Sequence, residues 1–153
     1  MKILDVLLKE AIVTDLKSLD KKGVLEELVA PLAPIAGINH EYLVKVLMER
    51  EQLGSTGIGE GIGIPHGKVK DLISLLLGFG LSRKGVDFES MDGLPTHIFF
   101  LLIAPENSAG LHLKLLARIS RILKNDHFRQ KLLHALNRDE IYSIIKKEEE
   151  EEL

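Results

Sequence analysis

Two uninterrupted apolar runs, ISLLLGFGL and THIFFLLIAP, constrain the fold of this chain more than any other feature. Each has the length of a strand and is bounded by turn-forming residues, and a continuous apolar run is typical of a strand covered on both faces. Both runs are therefore predicted to be central strands of a buried sheet. Neither approaches the roughly 18 apolar residues of a membrane-spanning helix, so membrane insertion is not expected.

Stretches with apolar residues at helical spacing predict helices around this sheet. The first begins after Asp20, a suitable N-cap, and is expected to end at Pro31 and Pro34 because proline interrupts helical hydrogen bonding. The second begins after Asn39 and is expected to stop at Gly54, with its apolar stripe formed by Leu43, Val46, Leu47 and Leu53. Three further helices are predicted: one from about Ala109 to Lys124, one after Asp126 with Leu132, Leu133 and Leu136 facing inward, and a short one with Ile141, Ile144 and Ile145.

Helices that flank a small sheet make a single compact domain of the α/β class. We expect this domain to span residues 1–147, followed by a solvated acidic tail at residues 148–153. A connection between the two central strands contains turn residues and is expected to carry a short edge strand at residues 86–88.

Composition narrows the functional classes. The 153 residues include no cysteine, which excludes disulfides, thiolate metal sites and cysteine nucleophiles. A net charge of −3 without a basic stripe argues against nucleic acid as a partner. The N-terminus lacks the long apolar run of a secretory signal, so we expect a cytoplasmic location and protein partners.

A glycine-rich segment, STGIGEGIGIPHG, covers residues 55–67. Glycine occupies positions 57, 59, 61 and 63, so an extended strand here would have one face of bare backbone that another group can approach closely. Pro65 is expected to end the strand and to leave the imidazole of His66 accessible at its exit. Neither nucleotide-binding glycine motif fits, because Ile62 or Ile64 stands where a glycine is required.

A neutral imidazole can attack phosphorus and later leave from the phosphoramidate, so His66 is predicted to carry a phosphoryl group reversibly. The phosphoryl oxygens need fixed donors, for which the candidates are Arg50, His112, Ser55 and Thr56. Arg50 lies on the apolar stripe of its helix, where a buried guanidinium needs an anion. His112 begins an apolar helical stripe near a helix N-terminus, which favours its neutral, donating form, and the free amides of that helix are further donors.

Ordinary structural roles are open for each of these residues. His66 could cap backbone groups in a turn, and His112 could be a helix residue bonded to a carbonyl group. Arg50 could extend to solvent or pair with Glu51 or Glu60, and Ser55 and Thr56 could be turn formers. Glu60 is interpreted as a solvated or gating charge. The four other histidines are assigned to surface or packing roles: His40, His97, His127 and His134.

The segment MEREQLGSTGIGEGIGIPHG, together with GVDFESMDGLP and IAPENSAGLHLKLLARISRIL, resembles enzyme IIA domains of the bacterial phosphoenolpyruvate-dependent phosphotransferase system. The resemblance is to the type-2, fructose/mannitol/nitrogen-regulatory group, especially its nitrogen branch, and covers nearly all of residues 1–147. It implies a mixed sheet flanked by helices, a phosphohistidine at His66, and supporting roles for Arg50 and His112. Gly63 differs from the commoner alanine before I-P-H, and the glutamate tail also departs from the family.

The resemblance further implies a phosphotransferase without cofactor or metal, which accepts phosphate from an HPr-type donor. Downstream it would serve a regulatory target such as a kinase or transporter, or, in a sugar-specific component, a IIB protein. The absence of a permease or second phosphocarrier domain in the chain favours the nitrogen-regulatory branch. A non-catalytic regulatory binding domain is the alternative, and a metal-binding module using His66 and His112 is a third class that lacks strong carboxylate ligands.

Overall fold

A six-stranded mixed sheet lies at the centre of the computed structural model, which describes residues 1–152. The strands are β1 (Leu7–Val13), β2 (Gly57–Gly59), β3 (Ile62–Gly63), β4 (His66–Val69), β5 (Leu76–Val86) and β6 (Thr96–Pro105). Their order is β1-β5-β6-β3-β2, and β4 also pairs with β6. The pairs β5–β6 and β2–β3 are antiparallel and the remaining pairs are parallel. Residues 76–81 of the first apolar run lie in β5 and the second run forms β6, which confirms both as central strands. Ile73, at the start of the first run, precedes β5 and is 96% exposed.

Helices cover both faces of the sheet. They are α1 (Ile3–Val6), α2 (Lys21–Ala36), α3 (His40–Gln52), α4 (Ala109–Ile122), α5 (Asp126–Leu133) and α6 (Arg138–Glu152). Helices α2 and α3 pack on one face, where they meet Phe99 and Leu101 of β6, and the other four pack on the face that carries Phe100 and Leu102. Because neighbouring residues of β6 are buried on opposite faces, the strand is apolar from Ile98 to Pro105. The predicted single α/β domain with a mixed sheet and flanking helices is confirmed.

The first long helix continues through both of its prolines, so the prediction that Pro31 and Pro34 end it is wrong. Helix α2 ends only at Gly37, whose left-handed φ of 68° forms the C-cap. Burial of Leu32 and Ala33 stabilises the segment beyond the first proline and offsets the hydrogen bonds that the prolines cannot donate.

Three further expectations about local structure are also wrong. Leu53 and Leu136 are 85% and 78% exposed, because each lies just beyond the end of its helix and no longer follows the apolar stripe. No separate edge strand forms at residues 86–88. Instead β5 extends to Val86, and Asp87 forms only an isolated bridge with Asp20.

The C-terminal glutamates belong to α6, which extends to Glu152 and is longer than predicted. Glu148 and Glu149 are buried, so the expectation of a solvated tail is wrong for these two residues. The carboxylate of Glu149 accepts hydrogen bonds from the backbone N–H groups of Ile3 and Leu4 and from Nε of Arg118. The division of the chain at residue 147 stays a prediction. Over the described residues, no helix is long and apolar enough to cross a membrane.

Candidate functional site

The glycine-rich segment folds back on itself as a hairpin, which corrects the expected single strand. Strands β2 and β3 are antiparallel and are joined by Glu60 and Gly61, with φ of 58° and 78°. Positive φ at both central residues is the requirement of a type I′ hairpin turn, and glycine meets it without strain. The turn therefore places β3 beside β6 and returns the chain toward Pro65.

Two glycines of this segment allow the close approach that the sequence predicts. A Cβ atom at Gly63 would lie 3.2 Å from ring carbons of Phe99, and one at Gly67 would lie 2.9 Å from Cγ1 of Val46. The missing side chains thus let the hairpin and β4 pack directly against β6 and α3.

His66 begins β4 instead of standing at the exit of a strand. It pairs with Leu102 of β6, and alternation along β4 places His66 and Lys68 on one face of the sheet. The imidazole is half-buried, and its Nδ1 atom lies 2.8 Å from the carbonyl oxygen of Ile64. A carbonyl only accepts hydrogen bonds, so Nδ1 carries the proton and Nε2 keeps its lone pair.

His112, in the first turn of α4, faces His66 across the site. The two ring centroids are 5.3 Å apart and the ring planes are nearly perpendicular, at 84°. His112 is 6% exposed, and its Nε2 atom is buried without a hydrogen-bond partner among residues 1–152. A buried polar atom without a partner is costly, and it is explained if a ligand supplies the partner.

Burial lowers the pKa of both imidazoles. For His66 the bond to Ile64 and the charge of Glu51 oppose this effect, whereas the charge of Arg50 adds to it. For His112 burial acts together with the nearby His66 and Lys68. Both rings are therefore neutral near pH 7, as predicted for His112, although burial is the leading cause and not the helix dipole.

Arg50 is partly exposed at the end of α3, and its Nη1 donates to the carbonyl oxygen of Gly54 at 2.9 Å. Within the described chain no carboxylate lies within 4.0 Å of its guanidinium group. The two suggested partners pair elsewhere: Glu51 with Lys21 at 3.0 Å, and Glu60 with Arg129 at 3.4 Å. The positive charge of Arg50 is thus available beside His66.

The hydroxyl groups of Ser55 and Thr56 already have protein partners. Ser55 Oγ donates to the carbonyl oxygen of Phe88 at 2.9 Å, and Thr56 Oγ1 donates to the carboxylate of Glu51. Sequence reasoning missed the buried pair of Lys21 and Glu51 at this position. Both residues lie in helices, where charged side chains ordinarily face solvent, and no spacing in the sequence connects them.

The other histidines lie outside the site. Ring nitrogens of His40, His97 and His134 bond to backbone carbonyl groups, and His127 is exposed. In the part of the chain that the structure describes, no group of three or more histidine, aspartate or glutamate side chains is arranged to hold a metal ion.

Comparisons with known proteins identify the family to which the chain belongs. The family model for the phosphoenolpyruvate-dependent sugar phosphotransferase system, EIIA 2, matches residues 5–148. A nitrogen regulatory protein of Bradyrhizobium diazoefficiens is 42% identical over 145 residues, which are 95% of each chain. The fructose-specific EIIABC component of the phosphotransferase system of Bacillus subtilis is 40% identical over 146 residues, 95% of this chain and 23% of that protein.

Among solved structures, the nitrogen regulatory protein IIA-Ntr from Neisseria meningitidis superposes with a TM-score of 0.87 and 31% identity, over 92% of this chain and 97% of that one. IIA mannitol from Escherichia coli superposes with a TM-score of 0.75 and 25% identity, over 89% and 96% of the two chains. The sequence match and the shared fold lead to one conclusion: this chain belongs to the EIIA 2 family of the phosphoenolpyruvate-dependent sugar phosphotransferase system.

Proposed function

We propose that this protein is a histidine phosphocarrier in which His66 accepts a phosphoryl group from a phosphorylated HPr-type protein. The observation that carries the proposal is the arrangement of the two histidines. The Nδ1 atom of His66 is held by Ile64, which leaves Nε2 as the nucleophile. The ring of His112 lies across the site, with its centroid 5.3 Å from that of His66, and its buried Nε2 atom lacks a hydrogen-bond partner among the described residues.

In the transfer, the lone pair on Nε2 of His66 forms the new N–P bond while the P–N bond to the donor's imidazole breaks. The departing imidazole takes the electron pair of that bond and becomes neutral when it leaves from its protonated form. His66 acquires a positive charge, which the bond from Nδ1–H to the carbonyl oxygen of Ile64 stabilises. The same step in reverse passes the phosphoryl group to the next protein.

The phosphoryl oxygens need donors that are already in place. Arg50 offers a guanidinium group with no carboxylate partner in the described structure. The neutral ring of His112 donates from Nε2 in the tautomer that carries its proton there, and this nitrogen has no other partner within residues 1–152. Direct contact of Ser55 and Thr56 with the phosphoryl group stays a prediction. Their hydroxyl bonds to Phe88 and Glu51 support a role in holding the segment beside the site.

A nitrogen-regulatory role is the branch that we favour, with phosphate on His66 acting as a switch for a target such as a kinase or transporter. The 42% identical relative that carries the name nitrogen regulatory protein supports it. The 40% identity to a fructose-specific component supports the second candidate, a sugar-specific IIA component that passes phosphate to a IIB protein. In either role the protein would act in the cytoplasm, which stays a prediction.

Phosphorylation with purified enzyme I, an HPr-type protein and phosphoenolpyruvate tests the acceptor. We expect acid-labile label on the wild-type protein and on His134→Ala, a control in which an exposed histidine is removed. His66→Ala should carry no label. Retained acid-labile label on a folded His66→Ala protein would reject the assignment.

A second experiment distinguishes the two branches. Pull-downs with the phosphorylated protein, the unphosphorylated protein and His66→Ala should recover a regulatory target whose binding depends on the phosphorylation state. Rapid transfer of label to a purified sugar-specific IIB protein, with no target that distinguishes the states, would instead favour the sugar-specific branch.

A further inference from the structure

A buried ion pair lies behind the segment that connects α3 to the glycine hairpin. Nζ of Lys21, at the start of α2, is 3.0 Å from Oε1 of Glu51, near the end of α3, and the two side chains are only 10% and 2% exposed. A buried ion pair adds little stability over apolar side chains of similar size, because both charges lose their hydration. The groups that this pair contacts are therefore more informative than its contribution to stability.

The carboxylate of Glu51 holds Thr56 by two hydrogen bonds. The backbone N–H of Thr56 donates to Oε1 at 3.1 Å, and its hydroxyl group donates to Oε2. The adjacent residue Arg50 donates to the carbonyl oxygen of Gly54. Two neighbouring residues at the end of α3 thus fix the connecting segment, and one of them supplies the positive charge at the phosphoryl site.

Thr56 in turn is bonded to the residue that orients His66. Its carbonyl oxygen accepts the backbone N–H of Ile64 at 3.0 Å, and the carbonyl oxygen of Ile64 lies 2.8 Å from Nδ1 of His66. The contacts from Lys21 through Glu51, Thr56 and Ile64 therefore form an unbroken series that ends at the imidazole. Each link is a hydrogen bond or ion pair of ordinary length or shorter.

We propose that Lys21 and Glu51 are positioning residues for phosphoryl transfer: through Thr56 and Ile64 they hold the ring of His66 in the tautomer and orientation that present Nε2 to the donor. This inference rests on the proposed function of His66. Neither residue touches the phosphoryl group. Their effect is geometric, and small errors in the position of a reacting atom cost large factors in rate.

Glu51→Gln tests the proposal because it keeps the shape of the side chain and removes its charge. The amide can no longer accept from both groups of Thr56 and from Lys21. We expect the single-turnover rate of transfer from the phosphorylated donor to fall about tenfold, equivalent to about 1.4 kcal/mol. In ¹⁵N NMR spectra, His66 should change from mainly Nδ1–H to a mixture of both tautomers.

Glu149→Gln is the matched control. Glu149 is also a buried carboxylate that accepts from two backbone N–H groups and pairs with a cation, Arg118. Its bonds lead to α1 and, through Arg118, to the middle of α4, and none of them reaches the segment that holds Nδ1 of His66. This variant should lose stability yet keep the wild-type transfer rate and His66 tautomer. Equal changes in rate and tautomer in both variants would overturn the proposal, since a general loss of stability would then explain them.

Thr56→Val is a second, milder variant, which removes the hydroxyl group and keeps the backbone bonds to Glu51 and Ile64. We expect a smaller decrease in rate together with a smaller shift in tautomer. A folded Glu51→Gln protein with the wild-type rate and tautomer overturns the proposal. So does a folded Thr56→Val protein with wild-type behaviour, if Glu51→Gln does not fold.

The outcome also separates this proposal from the proposed function. In a protein with both Glu51→Gln and His66→Ala, no acid-labile label should remain. Label that persists there contradicts the role of His66 itself. Label that depends on His66 but forms at the wild-type rate in Glu51→Gln contradicts only the positioning role of Lys21 and Glu51.

Discussion

Glu149 provides a sharp test of the C-terminal helix, because the sequence suggests a solvated tail and the structure places this carboxylate in the interior. Its oxygens lie 2.7 Å from the backbone nitrogen of Ile3, 3.1 Å from that of Leu4 and 2.7 Å from Nε of Arg118. Glu149→Ala removes all three acceptors at once. The N–H group of Ile3, a residue with 0% exposure, is then left without a partner at the start of α1.

The size of the effect follows from these contacts. A buried donor left without an acceptor costs about 1–3 kcal/mol, and breaking a fully buried ion pair costs about 3–5 kcal/mol. The side chain of Arg118 is 22% exposed and can be partly rehydrated, which lowers the second figure. We therefore expect Glu149→Ala to decrease the free energy of unfolding by about 3 kcal/mol, a large part of the roughly 5–15 kcal/mol typical of a domain.

Urea unfolding followed by circular dichroism at equilibrium measures this difference as a lower midpoint at an unchanged slope. Glu151→Ala is the matched control, since this glutamate lies in the same helix and is exposed. Its effect should stay within about 0.5 kcal/mol, as is usual for a surface position. A Glu149→Ala protein as stable as Glu151→Ala would refute the argument and restore the solvated tail.

Two further predictions concern packing and pH. Gly80→Ala should destabilise the protein by about 2 kcal/mol in urea unfolding, because the new Cβ atom would lie 2.5 Å from Cδ2 of Leu28. Gly110→Ala is the control: open space surrounds this glycine in α4, so the substitution should stabilise the protein by up to about 1 kcal/mol. Similar effects of the two substitutions would contradict this packing. Burial lowers the pKa of His66 and His112, so the folded protein binds fewer protons than the unfolded chain as the pH falls. The stability that is present above the unfolded-state pKa of about 6.5 should therefore be lost on acidification toward the folded-state pKa values. Urea unfolding at about pH 7.5 and about pH 5.5 should show a larger loss for the wild-type protein than for His66→Ala, and an equal or smaller loss would contradict the burial of this ring.

Predictions from the sequence succeed where a single physical effect dominates over several residues. The strands β5 and β6 follow from apolar runs that only a sheet covered on both faces can bury, and the starts of α2 and α3 follow from Asp20 and Asn39, whose side chains cap backbone N–H groups. Predictions fail where tertiary contacts override the local pattern. Pro34 remains inside α2 because the helix buries apolar residues around it, and the hairpin replaces a single glycine strand because alternating glycines suit a turn as well as an extended backbone.

The candidate site likewise contains residues that the local sequence pattern indicates and residues that it does not indicate, and this difference has a physical cause. The sequence indicates His66 and His112 as candidates because each carries a local signal, a proline-terminated glycine segment for one and a helical stripe for the other. The contribution of Glu51 has no local signal, because it arises from the meeting of α2, α3 and the hairpin in three dimensions. Chemistry at His66 needs a reactive nitrogen, which one residue supplies, but it also needs that nitrogen held in one tautomer and direction, which no single residue can ensure. The proposed reactive group is therefore indicated by the sequence, whereas the groups proposed to orient it become identifiable only when the fold brings them together.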